Sequence, residues 1–123
     1  MLHLSATCKY YMYAKDTDMR KGFDSLSGIV SSGMQLDALD GSLFIFINKR
    51  HNQVKLLLFE GDGFALYHKR LEKGTYELPD TLNQSSSLCI SAQQLQFILQ
   101  GVSLQKIHFR VRYKKKPELL TGY

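Results

Sequence analysis

The sequence predicts an α+β fold in which a mostly antiparallel sheet of five or six strands packs against two helices. Three observations carry this expectation. Short apolar runs separated by turn residues fill the middle of the chain, and two other segments repeat apolar residues at steps of three and four behind good helix-capping side chains. The stretch from Ile107 to Lys114 alternates strictly between apolar and polar residues.

The first strand is read from Lys9 to Ala14, where Tyr10, Tyr11 and Tyr13 supply the aromatic content that strands favour. Asp16, Thr17 and Asp18 then offer oxygens to helix N-terminal amides, and Met19, Phe23, Leu26 and Val30 follow at helical spacing. This predicts an amphipathic helix over 18–32, stopped at Gly33. From Leu43 the pattern switches to the runs Leu43–Ile47, Val54–Phe59 and Phe64–Leu71, separated by Asn48-Lys49-Arg50-His51-Asn52 and Glu60-Gly61-Asp62-Gly63. That is a three-stranded antiparallel meander. Tyr76 to Leu78 is expected to add a short strand before Pro79 and a polar loop over Asp80–Ser87.

Ser91 opens the second helix, over 91–100. Gln94 stands three residues later, as a capping box requires, Ile90 and Leu95 are placed for a hydrophobic staple, and Gly101 suits the C-terminal cap. The last strand carries Ile107, Phe109, Val111 and Tyr113 on one face and His108, Arg110, Arg112 and Lys114 on the other. The expected core comprises Met19, Phe23, Leu26, Val30, Phe44, Phe46, Leu56, Leu58, Leu66, Leu95, Leu99, Phe109 and Val111, with both helices covering one face of the sheet.

A chain of 123 residues makes one domain, here 1–123 with a basic C-terminal strand and tail over 104–123. The apolar fraction of 44% and the charged fraction of 22% exclude wholesale disorder and coiled coil. The longest apolar runs fall far short of the roughly 20 residues that cross a bilayer. Met1 to Leu4 lacks the basic leader and apolar stretch of a signal peptide, and a cytoplasmic location with reduced Cys8 and Cys89 is expected. Residues 1–103 carry ten Lys and Arg against ten Asp and Glu, so the net charge of +5 resides in residues 104–123. Such asymmetry is the footprint of a surface that meets polyanions, although a solubilising tail looks similar.

Chemistry-bearing residues are sparse. His3, His51, His68 and His108 have no recognisable catalytic partner, no nucleophile elbow is present, and Glu60-Gly61-Asp62-Gly63 reads as a tight turn. No enzyme, cofactor or metal site is expected, with a metal-dependent phosphodiesterase using Asp18, Glu60 and Asp62 as the weakest alternative. Arg20 and Lys21 stand where a helix dipole opposes cations, which leaves two readings: contact with phosphates or an acidic partner, or pairing with Asp16, Asp18 or Asp24. Gly22 inside the helix suggests close approach of another backbone or a ligand. Lys49 with Arg50, Lys69 with Arg70, and Arg110, Arg112 and Lys114 suit phosphate contacts without sequence readout.

The blocks Thr17-Asp18-Met19-Arg20-Lys21-Gly22-Phe23-Asp24, Gly41-Ser42-Leu43-Phe44-Ile45-Phe46, Asn48-Lys49-Arg50, Lys55-Leu56-Leu57, Asp62-Gly63 and Lys69-Arg70-Leu71-Glu72-Lys73-Gly74 occur in order. In that order and spacing the chain resembles the TnpB accessory protein, the Orf2-like product of bacterial insertion sequences of the sixty-six family. The resemblance implies a small protein of a mobile genetic element, encoded beside a separate three-carboxylate transposase and needed for efficient transposition. It supplies no catalytic residues to carry over. The chain departs from the family pattern at Asp16, where Pro is usual, and at Phe59 and Leu78, where Trp is usual. The expected function is a non-catalytic accessory protein of DNA transposition that binds DNA ends, the transposase, or both. The alternative is a protein-only assembly module, such as a homodimer formed through an exposed strand edge.

Overall fold

The computed structural model describes residues 8–80, 82 and 85–101. The fold is α+β. A five-stranded sheet is built from β1 (Tyr10–Tyr13), β2 (Leu43–Ile47), β3 (Gln53–Phe59), β4 (Phe64–Arg70) and β5 (Ser87–Ile90), in the spatial order β4-β3-β2-β1-β5. Its helices are α1 (Phe23–Gly28), which continues as a π-helical turn over Ile29–Gly33, and α2 (Ala92–Gln100). Pairing is antiparallel everywhere except between β1 and β2, which run parallel with Tyr10 opposite Leu43 and Met12 opposite Ile45.

The expected meander forms with β2 at the predicted bounds. Glu60 N–H closes the turn between β3 and β4 on the Gly63 carbonyl at 2.8 Å, and Gly61 takes the positive φ of 98° that such a turn requires. The second helix also matches its sequence signals. Ser91 accepts from the Gln94 amide at 3.1 Å, the Gln94 side chain accepts from the Ser91 amide at 2.9 Å, and Gly101 caps the end at φ 79°. Ile90 and Leu95 belong to the same core cluster, as a staple requires.

Five expectations are corrected. The first helix begins at Phe23 rather than 18, because Asp18 turns its carboxylate onto Arg20 and Gly22 is extended at φ −109° and ψ −155°, without a side-chain cap. A Cβ on Gly22 would meet nothing within 4 Å, so no close approach explains that glycine. Phe23, expected in the core, is 48% exposed as a consequence of the later start. Tyr76 to Leu78 forms no strand, and the fifth strand is Ser87–Ile90, which pairs with β1 along its free edge.

The fifth correction concerns layering. Side chains alternate across a strand, and β2 is buried at all five positions. Leu43, Ile45 and Ile47 join Met12, Leu56 and the α2 residues Leu95 and Ile98 on one face. Phe44 and Phe46 join Leu57 and the α1 residues Leu26 and Val30 on the other. The helices therefore cover opposite faces of the sheet, and the expected core divides into two. On the α1 face Tyr11 stacks on Phe44 with centroids 5.9 Å apart, and Tyr13 packs against Phe46 at 6.1 Å. Leu58, Leu66, Leu99 and Met19 are only partly buried, and Phe109 and Val111 lie outside the described residues.

The two phenylalanines that sequence alone treats alike are distinguished by this arrangement. Phe46→Ala is expected to cost about 3–5 kcal/mol in denaturant unfolding, from lost transfer energy and a cavity between sheet and helix. Phe23→Ala should cost less than about 1 kcal/mol. Equal losses at the two sites would contradict the exposed start of α1.

Candidate nucleic-acid interface

Both faces of the central strand β2 are covered, which leaves the ends of the sheet accessible. β1 and β2 run parallel, and β4 runs parallel to β2 through the antiparallel β3. The C-terminal ends of three strands therefore emerge together, beside Gln53 at the start of β3. This end collects most of the described cations outside helices.

The segment from Thr17 to Gly22 is fixed there by two tethers. Thr17 N–H donates to the Ile47 carbonyl at 2.9 Å, continuing the contact between the first two strands. Lys55 Nζ donates to the Lys21 carbonyl at 2.6 Å, and Lys55 is only 7% exposed. Between these tethers Asp18 accepts from the Arg20 amide at 2.9 Å, and its carboxylate takes Arg20 Nη2 at 2.6 Å and Nε at 3.1 Å. The hydrogen bonds from Arg20 hold the Asp18 carboxyl well below the usual carboxylate range and raise the guanidinium in turn. Both side chains are largely open to solvent, where such a pair contributes little to folding. Of the partners weighed from sequence, Asp18 is the one that holds Arg20.

The β2–β3 loop forms the opposite wall. Asn48 Oδ1 accepts from the Asn52 and Gln53 amides at 3.0 and 2.9 Å, and its Nδ2 donates to Asn52 at 2.7 Å. His51 adopts φ 58° and donates its amide to the Asn48 carbonyl at 3.0 Å. This network fixes the loop that carries Lys49 and Arg50. An open groove of about 470 Å³ runs between Asp18–Arg20 and Lys49–Arg50, floored in part by buried Thr17. The Thr17 hydroxyl has no hydrogen-bond partner among the described residues.

Cross-strand register extends the basic surface on the α1 face. Lys55 stands opposite His68 and Gln53 opposite Arg70, while His68 Nε2 lies 2.9 Å from Gln53 Oε1. Partial burial, followed by the charges of Lys55 and Arg70, lowers the His68 pKa and favours the neutral ring. Arg70 is shared with Glu72 at 3.1 Å, an exposed pair.

The structure thus brings together Arg20, Lys21, Lys49, Arg50 and Arg70 at one end of the sheet. Lys69 does not share a face with Arg70, because successive strand residues point to opposite sides. Arg110, Arg112 and Lys114 lie outside the described residues. Sequence reading gave Lys55 no site role and read His68 as a surface position on a strand, and His68 is exposed on β4. Their signal is visible in retrospect: Lys55 is the one cation inside the run Val54–Phe59, and period-two spacing places it against the histidine of the next strand.

Known relatives match most of the chain. A family model described as IS66 Orf2 like protein matches residues 8–109. The uncharacterized protein y4hO of Sinorhizobium fredii (strain NBRC 101917 / NGR234) is 32% identical over 102 residues, covering 83% of this chain and 87% of that protein. The uncharacterized protein y4jC of the same strain is 24% identical over 117 residues, covering 95% and 93%. No solved structure matches.

The neutral bias of His68 has a measurable consequence. Its folded pKa lies below the unfolded value of about 6.5, so the unfolded chain takes up the proton first and stability falls as pH drops below about 6.5. His68→Gln should remove that part of the pH dependence. In an NMR titration, Lys55→Met should raise the His68 pKa by deleting the cation opposite it. An unmoved His68 titration would disprove that the two side chains face each other.

Proposed function

The chain belongs to the IS66 Orf2-like family, and we propose that it is a non-catalytic accessory protein of DNA transposition that grips the phosphate backbone of element DNA with the basic end of its sheet. The observation that carries this reading is the groove between Arg20 and the Lys49–Arg50 loop. Its cations come from separate segments and are set by backbone tethers rather than scattered over the surface. Lys21, Lys49 and Arg50 make no ion pair among the described residues, which leaves their charge available to a polyanion.

In this reading Arg20, Lys21, Lys49, Arg50 and Arg70 contact phosphate oxygens. Lys69 reaches the backbone from the other face of β4, and Arg110, Arg112 and Lys114 add a further basic stretch. Contacts of this kind position a duplex without reading its sequence. Any discrimination of element ends then comes from DNA shape or from the transposase, the second partner in this proposal. Asp18 has a regulatory part: its carboxylate occupies the Arg20 guanidinium until a phosphate displaces it.

A protein-only assembly role is the second reading, and the open edge of β4 is the observation in its favour, since that strand has no neighbour beyond it among the described residues. The end of that edge carries His68, Lys69 and Arg70, and charges on an edge strand oppose pairing with a second copy.

Titration against element-end and random duplex at several salt concentrations separates the two. Replacing Arg20, Lys49 and Arg50 together by Gln should weaken binding to both duplexes alike and reduce the log–log salt slope by up to about three units. Asp18→Asn should tighten binding by freeing Arg20. Wild-type binding that is absent or indifferent to salt would leave the assembly reading standing alone.

A further inference from the structure

The strip of β3 and β4 on the α1 face extends the groove into a second basic patch. Cross-strand pairing sets Gln53 against Arg70 and Lys55 against His68, and all four share the face of Leu57 and Leu66. Gln53 joins the two surfaces: it lines the groove beside Lys49 and Arg50, and its Oε1 lies 2.9 Å from His68 Nε2. With Oε1 as the acceptor, Nε2 carries the proton of the neutral ring and Nδ1 is the position that takes a second. The charged groups nearest the ring in this strip are cations. Lys55 stands across from it, and Arg70 follows two residues along the same strand, with Glu72 on the Arg70 guanidinium at 3.1 Å. Lys21 meets Lys55 through its backbone carbonyl. The helix packed against β3 carries Asp24 in its first turn, and neither Asp24 nor His68 forms an ion pair among the described residues. His68 itself is exposed.

We propose that His68 is a ligand for the phosphate backbone of a duplex and takes up one proton from solvent as the duplex binds. This rests on the phosphate-gripping role proposed above and adds to it the regulation of that site by pH. Charging the ring beside Lys55 and Arg70 is unfavourable while no anion is present, in keeping with the lowered pKa of the free ring. A phosphodiester oxygen set against the strip reverses that balance. The proton leaves a buffer acid and binds Nδ1, and the imidazolium donates it in a charge-assisted hydrogen bond to the phosphate. Linkage fixes the sign: the duplex raises the His68 pKa, so affinity rises as pH falls through the interval between the free and bound values, by at most about tenfold per pH unit. Phosphodiesters stay ionised throughout that interval, so the dependence belongs to the protein. An acidic protein surface is the less favoured occupant, because strip and groove are joined at Gln53 into one run of cations that suits the repeating charge of a nucleic-acid backbone.

The test titrates the full-length protein with duplex at about pH 8 and about pH 6, on either side of the ordinary histidine range, at fixed ionic strength. Wild-type affinity should rise at least about threefold at the lower pH. The log–log salt slope should steepen there by up to about one unit, as one more phosphate contact carries charge. His68→Gln should lose both changes, and comparison of the two proteins removes the background of His3, His51 and His108. His68→Lys, a permanent cation, should bind more tightly than wild type at the higher pH and lose the same part of the pH response. In an NMR titration the His68 ring should protonate at higher pH in the complex than in the free protein. Duplex binding whose pH response survives in His68→Gln, or a His68 titration that the duplex does not move, would overturn the proposal and leave the groove reading intact. A pH response to polyglutamate but not to duplex would assign the strip to an acidic protein surface instead. Absence of duplex binding at both pH values would remove this inference together with the reading it rests on.

Discussion

The double burial of Leu43–Ile47 is the constraint from which the rest of the structure follows. A strand with no exposed position needs a neighbour on each edge and a cover on each face. β3 and β1 provide the edges, and the two helices provide the covers. Because β1 lies parallel to β2, the chain must cross from one end of the sheet to the other between them. The crossing carries α1 and its π-helical turn, which ends at Gly33, where a Cβ would come within 3.2 Å of the Tyr13 hydroxyl. The interior is almost wholly apolar, with Thr17, Ser42 and Lys55 as buried polar residues among those described, and exposed cations gather at the end of the sheet where strand termini and loops meet.

At that end the chain accepts an electrostatic cost. Lys55 is buried, its ammonium donates to the Lys21 backbone carbonyl, and His68 and Arg70 lie close by on the same face. Burying a cation beside other cations does not stabilise a fold by itself. What the arrangement secures is position: the Lys55 tether fixes the Lys21 carbonyl, and with it the turn that displays Arg20.

The sheet and the second helix were legible because their signals are local. Apolar run length, the Glu60–Gly63 turn and the Ser91–Gln94 box each fix an element without reference to the rest of the chain. The layering was legible only in part. Leu43-Phe44-Ile45-Phe46-Ile47 has no polar alternation, which is the signature of a strand covered on both sides, yet which helix covers which face depends on the chain path. The start of α1 was misread because three acceptors in a row look like caps, whereas Asp18 accepts from Arg20 and Thr17 is held by its backbone N–H on the Ile47 carbonyl. β5 was missed because Ser87-Leu88-Cys89-Ile90 is short and follows a polar stretch. The basic end of the sheet was half legible: its exposed cations stood out by charge, whereas Lys55, which tethers the Lys21 carbonyl, hid inside an apolar run.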